Sequence, residues 1–563
     1  MENKNLIIAI FLSTLILLGW SLYFENPEDV NKKIQNQDQK QTEKKLSKSD
    51  TPSLEKESPV KIISRNEALK ENGRVEVENN SLVGSISLKG ALIDDITLKN
   101  YRESIDKNSK QIVVLNPKKS KDGYFVESGW ASAKSDVKVP DNNSVWQIKE
   151  GKKLTPNSPV TLEWNNREGV VFLKKIEIDN KYLFKITETI RNDKGKAIEL
   201  FHYSQITRNE KPNTENFYIL HEGLIGVVNK NLKEETYADV EKNKKTFSGN
   251  SGWFGITDKY WMTAIIPENG KSFKGEYSFS KLYKTNFIIS DPTIANPQKS
   301  ASNTLRVFVG AKEVHTVDNY ADKEKIDRFD LTIDWGWFYF ITKPFFFIID
   351  YIFKAVGNFG VAIIILTLMV RIVFYPLANY SFKSMAKMKI LQPEMLRLKE
   401  LYKDDVKKTQ QEIMALYKRE KVNPLSGCLP ILIQIPIFFA VYKMLFVTLE
   451  MRHTPFFGWI KDLSAADPTT IFNLFGLIPW DPPSFLMIGV WPILMGITMY
   501  FQQKLNPTPP DPIQAKIFAF FPLVLTVMLA TFPSGLIVYW TVSNVLTMAQ
   551  QWYIMKQTSV KTA

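Results

Sequence analysis

One cysteine, Cys428, occurs among 563 residues, so no intramolecular disulfide can staple any part of the chain. Histidine is almost as scarce: His202, His221, His315 and His453 are scattered without ligand spacing, which argues against a metal site or a histidine-based triad. No G-x-x-x-x-G-K-[ST] run is present, so a phosphate-cradling loop is missing and no cofactor is called for. The apolar runs of the carboxyl-terminal half contain no Asp or Glu. The formal charge of +13 averages two unlike halves. Its basic residues gather in loops, where they orient a membrane protein rather than mark nucleic-acid recognition.

What is present begins with a span. Residues 6–24, LIIAIFLSTLILLGWSLYF, are too long an apolar stretch for a signal-peptide core and lack a small-residue cleavage site after Phe24. They predict an uncleaved signal anchor over 1–24, with a cleaved leader as the alternative. Residues 25–59 are rich in Lys, Gln, Glu and Ser and nearly free of aromatics, which predicts a flexible tether. From 60 to 329, segments such as LVGSISLKG, GVVFLKKIEI, KYLFKITETI and TLRVFVGA alternate or run apolar between turn signals, predicting a large all-β sandwich of two broad packed sheets. His221-Glu222 and Asp258-Lys259 are pairs of the kind used in acid–base catalysis, but no spacing supports them, and no enzyme is predicted.

Residues 330–355 concentrate Trp and Phe around Pro344 and the charges Asp334, Lys343, Asp350 and Lys354, predicting an amphipathic helix in the membrane interface; a full span over 338–353 is the alternative. Next comes GVAIIILTLMVRIVFYP, residues 360–376, which carries Arg371. An arginine at the centre of a membrane helix costs roughly 2.5–3.5 kcal/mol, so it is expected to face water, a partner or a substrate path. At 1.5 Å per residue it also lies only about 9 Å from Leu377, so snorkelling to the headgroups is the plain alternative. A guanidinium does not give up its proton, and no acidic partner lies in the other spans, which favours a wet cavity beside it.

Beyond it, residues 379–423 hold eleven Lys or Arg against six Asp or Glu and repeat Met388, Leu391, Met395 and Leu398 at helical spacing. This predicts a cytoplasmic helical hairpin over 380–422. Spans are expected at about 358–378, 428–448, 485–502, 517–532 and 535–554, within a core of 356–555 and with a cytoplasmic tail over 556–563. With the anchor this gives six spans and both termini inside. The apolar residues 471–480 are too short to cross and are expected to rest in the interface. Cys428 is read as a small packing residue. Polar handles in the spans are Thr367, one turn before Arg371 and on its face, with Gln434, Thr498, Tyr539, Trp540, Thr541, Ser543 and Asn544. Such residues either glue helices together or line a path.

MVRIVFYPL with SMAKMKILQPEM, EIMALYKREKVNPLSGCLPILIQIPIFFAVYKML, HTPFFGWIKDLSAADP and FPSGLIVYWTVSN resemble the YidC family of membrane protein insertases, which includes the mitochondrial and chloroplast insertases. The resemblance implies an α-helical polytopic protein whose five-helix core encloses a hydrophilic groove, with a large periplasmic β domain. It places Arg371 in the groove with Thr367, Tyr539 and Trp540, and Gln434 is expected beside them from its own position as a polar residue in a span; where the family often has two tyrosines, this chain has Tyr then Trp. It implies an energy-independent insertase and chaperone of the bacterial inner membrane. The implied partners are nascent inner-membrane proteins, the lipid bilayer, the Sec translocon with its accessory subunits and, weakly given the short tail, the ribosome. Two other functional readings stay open on the residues themselves. One is a small-solute transporter, although no matched pair of interrupted spans suggests inverted repeats; the other is an envelope scaffold with a carbohydrate-binding domain.

Overall fold

The computed structural model describes residues 62–562, except 72, 134–136, 213, 215–219, 404, 424–428, 481, 484–485 and 508–511. The expected anchor, the tether and Cys428 lie outside the described residues.

The period-two apolar pattern folds into two large, mainly antiparallel sheets. One has eleven strands and runs from Lys245–Gly249 at one edge through Ile198–Arg208 and Tyr124–Ala131 to Lys153–Leu154 at the other. The second has nine, with Leu183–Asn192 in its interior, paired to Lys299–Ala311 on one side and Val170–Ile178 on the other. In Leu183–Asn192 the alternation turns Phe184, Ile186 and Ile190 into the core and leaves Lys185 outside. The same alternation turns Glu188 inward. Its cross-strand neighbour Lys174 stands 3.1 Å from Oε1, and from the facing sheet Ser128 donates its hydroxyl to the same oxygen at 2.5 Å. His202 Nε2 lies 3.3 Å from Oε2. Burial opposes the charged carboxylate, but the Lys174 ammonium, His202 and the Ser128 hydroxyl outweigh it and hold Glu188 down to about 2.

The sandwich is seated on the helical half by polar contacts. Helix α1, Val314–Asp322, has no capping side chain of its own, and Glu450 supplies one from far along the chain, accepting the Val314 N–H at 2.7 Å. Lys343 pairs with Asp318 at 2.8 Å, His315 with Asp350 at 2.8 Å, and Lys443 with Asp334 at 2.6 Å. Lys259 lies 3.9 Å above the Phe446 ring.

Helix α2, Tyr339–Val356, continues through Pro344, whose ring removes only the bond to the Phe340 carbonyl near the helix start. Gly357 at φ 71 ends it, and the Asn358 side chain accepts the Val361 N–H at 3.1 Å to start α3, Phe359–Val373. The run expected to be one span over 358–378 breaks at Phe374. Pro376 has no N–H and would clash with the Ile372 carbonyl, so it opens a new helix, α4, Tyr375–Leu401, bent 68° from α3. The hairpin thus starts at the break rather than at 380, and its second arm is α5, Val406–Arg419. There follow α6, Leu429–Val447; α7, Val490–Leu505; α8, Pro512–Leu529; and α9, Ser534–Thr562, which runs on through the expected tail and packs on α3, α4 and α7. Among the described residues no single helix is long and apolar enough to cross a membrane, while the bent pair α3 and α4 together has the length and composition. The short turn Ile471–Gly476 holds Leu474 and Phe475 at positive φ, and its apolar side chains stay exposed.

Glu188→Gln leaves Lys174 buried without its counter-charge. It is expected to lower unfolding free energy by about 3–5 kcal/mol, the usual cost of breaking a buried pair. The measurement is denaturant unfolding of the full chain in detergent followed by far-ultraviolet circular dichroism, with Lys174→Met added to the variant restoring most of the loss. Equal stability of Glu188→Gln and the unsubstituted chain would contradict the pairing.

Glu450 predicts a pH dependence of stability. Burial, with Glu313 and Asp350 nearby, pushes it up to about 7. The folded chain therefore binds a proton that the unfolded chain releases near 4.5, so this contribution to stability is full below about 4.5 and falls as pH rises to about 7. Glu450→Gln is expected to flatten the unfolding midpoint between those values relative to the unsubstituted chain; an unchanged slope would show that Glu450 does not titrate there.

Candidate functional site

The break after α3 leaves Arg371 in the last turn of that helix, where its side chain reaches across to α6 and α9. Nη2 donates to the Ser543 hydroxyl at 2.6 Å, to the Ser543 carbonyl at 3.3 Å and to Gln434 Oε1 at 3.3 Å. Gln434 in turn donates from Nε2 to the Tyr539 hydroxyl at 2.9 Å. Tyr539 is buried at 2% exposure. Three helices distant in sequence are thereby joined through one guanidinium.

Among the described residues every oxygen that Arg371 meets is neutral. Among the described residues no carboxylate stands within ion-pair distance of it, and only Nη2 finds acceptors. A guanidinium carries five N–H donors in a rigid fork, so most of its hydrogen-bonding capacity remains for water or for an oxygen brought from outside. The arrangement can hold an anionic or carbonyl-rich ligand.

Of the residues singled out from the sequence, Arg371, Gln434 and Tyr539 form one hydrogen-bonded chain. Thr367 is buried at 1% exposure, and its hydroxyl donates to the Ile363 carbonyl of its own helix at 2.7 Å. Trp540 is half-buried with its ring 4.6 Å from that of Phe438, outside the polar chain. Ser543 makes the shortest contact to Arg371, yet in the sequence it reads only as one polar handle among several. Its signal is position: it follows Tyr539 by four residues and so shares its face of α9.

The pairs of the sandwich that look catalytic in sequence are occupied structurally. His221 Nε2 is 3.0 Å from the Leu224 carbonyl, Glu222 accepts the Lys259 N–H at 3.1 Å, and Asp258 is clamped by Arg208 at 2.7 Å. Among the described residues no group of three or more His, Cys, Asp or Glu is placed to hold a metal ion.

Two family models match the chain in succession. The YidC periplasmic domain covers residues 74–348, and the 60Kd inner membrane protein family covers 351–561. Among curated relatives, the membrane protein insertase YidC of Pelagibacter ubique is 51% identical over 563 residues, covering all of both chains. Those of Beijerinckia indica and Brucella suis are each 46% identical, over all of this chain and 97% of theirs. A crystal structure of an active YidC insertase with its first transmembrane domain resolved aligns with 88% of this chain and 94% of its own at 17% identity, TM-score 0.37.

If the Arg371–Ser543 contact is a charge-assisted hydrogen bond, a double-mutant cycle of Arg371→Met and Ser543→Ala should show coupling of about 1.5–3 kcal/mol. The cycle is read from denaturant unfolding in detergent micelles. Additive effects would mean that the two residues do not interact.

Proposed function

The chain belongs to the YidC family of membrane protein insertases, and we propose that Arg371 is where it receives the polar tail of each segment it inserts. Insertion of inner-membrane proteins is the activity that family membership gives, with an inner-membrane location and a periplasmic β domain. The observation that carries the proposal is the guanidinium of Arg371, hydrogen-bonded among the described residues to neutral oxygens alone and with donors to spare.

In this reading α3, α6, α7, α8 and α9 form a five-helix core around a hydrophilic groove open to the cytoplasm and to lipid. The residues 6–24 anchor the chain, both termini face the cytoplasm, and Gln434, Tyr539, Thr367 and Trp540 flank Arg371 in the groove. A nascent inner-membrane protein arrives at the hairpin of α4 and α5. Its polar or acidic amino tail enters the groove and its apolar part slides along α3 into lipid, where Leu368, Ile372 and Val373 are exposed. Attraction to Arg371 is stronger in a partly desolvated groove than in water. The membrane potential then draws a negative tail outward with about 2.3 kcal/mol per charge per 100 mV. No covalent step or nucleotide is involved, which makes the protein an energy-independent chaperone rather than an enzyme. The Sec translocon and its accessory subunits share some substrates with it, and the ribosome contacts it weakly.

The test is insertion of a ribosome-bound single-span protein with an acidic tail into inner-membrane vesicles, comparing Arg371→Ala with Arg371→Lys. A photoreactive residue at 540, which is half-buried, reports the substrate's position. Loss of one charge-assisted contact, about 1.5–3 kcal/mol, corresponds to roughly ten- to hundredfold slower insertion for the alanine variant. The lysine variant should retain most of the activity, and the adduct should appear only while the nascent chain is short. Full insertion by Arg371→Ala, with no adduct at 540, would return Arg371 to snorkelling.

A further inference from the structure

Helix α9 carries polar residues well beyond Ser543. At about 100° per residue, Gln550 falls within about 20° of both Ser543 and Tyr539 on the helix wheel, two turns further on. Between them, the Thr547 hydroxyl donates to the Ser543 carbonyl at 2.6 Å. One turn beyond Gln550, Ile554 is buried against Phe382, Met385 and Met388 at the foot of the hairpin. Gln550 therefore sits on the stripe that leads from the hairpin to Arg371.

Gln550 Nε2 is buried and has no hydrogen-bond partner among the described residues. Packing falls to the neighbouring stripe, where Asn544 donates to Thr498 at 3.2 Å and Gln551 to Asn506 at 3.0 Å, which ties α9 to α7 without Gln550. A buried amide donor left unpaired costs free energy that a leucine of similar size would avoid. Depth agrees with a role in passage. Seven residues of helix cover about 10 Å, most of the roughly 15 Å from the bilayer centre to the headgroups.

We propose that Gln550 is a further positioning residue for the substrate tail, its Nε2 donating to tail oxygens between the foot of the hairpin and Arg371. The inference rests on the reading of Arg371 given above. An uncharged amide recognises peptide carbonyls whatever side chains accompany them, so Gln550 serves neutral and acidic tails alike, whereas Arg371 favours acidic ones.

The test uses the full chain in proteoliposomes and three single-span substrates: one with a neutral Gly/Ser tail, one with an acidic tail, and one with its tail trimmed to two residues. Gln550→Leu is expected to slow the first two by about fivefold, the worth of one neutral hydrogen bond, and to leave the third unchanged. Gln550→Lys, which keeps a donor, should restore the rate, and the unfolding midpoint of Gln550→Leu should be unchanged or raised. Slowing of all three substrates together with a lowered midpoint would make Gln550 structural and overturn the proposal. Unchanged rates for Gln550→Leu while Arg371→Ala still slows the acidic tail would overturn it too, leaving the Arg371 reading intact. Unchanged rates in both variants would remove both.

Discussion

A guanidinium cannot shed its proton, and the helical half of this chain has to accommodate one among apolar helices. Arg371 is met by a serine hydroxyl, a backbone carbonyl and a glutamine oxygen rather than by a carboxylate. Three helices must converge to supply those oxygens, so the packing of α3, α6 and α9 and the placement of the charge are one problem. Neutral acceptors disperse the charge without cancelling it, and this is the physical difference between a site that can still attract an anion and a closed ion pair.

Two other buried charges, Lys443 and Glu188, are handled in the opposite way. Lys443, which also falls in an expected span, is neutralised by Asp334 at 2.6 Å, and Glu188 is surrounded by Lys174, Ser128 and His202 inside the sandwich. Each of these is closed by its partners, and each joins elements that lie apart in the fold. Lys443 secures α6 to the segment that leads into α2, while Glu188 spans the two sheets. A closed pair specifies how two surfaces meet; the open coordination of Arg371 leaves capacity for something that comes and goes.

The junction between sandwich and helices uses the same economy. Glu450 completes the amino end of α1, whose own N-cap residue, Glu313, makes no capping bond to it. Glu313 is turned instead to Tyr101, Tyr182 and Lys181. A helix end that one half leaves open is closed by the other, so the sandwich is held at its helical end by hydrogen bonds that neither half could make alone.

Much of this was written in local pattern. Alternating apolar residues from 74 to 311 sufficed for two sheets, and VGN at 356–358 spelled the end of one helix and the start of the next. Arg371 stood out because a charge in an apolar run has a cost independent of its surroundings. Local pattern also carried the long matches that mark the family. Depth and direction were not local. Pro376 bends the expected span by 68°, Thr367 turns its hydroxyl to its own helix, and Ser543 rather than Thr367 meets the arginine. Those outcomes depend on which oxygens three separate helices bring within about 3 Å of one nitrogen, the reach of a hydrogen bond. Residue order alone was enough to dictate the sheets, the helices and the presence of a charge in need of oxygen. Which oxygens that charge found was settled in three dimensions, because hydrogen-bond partners are selected by packing between segments more than sixty residues apart.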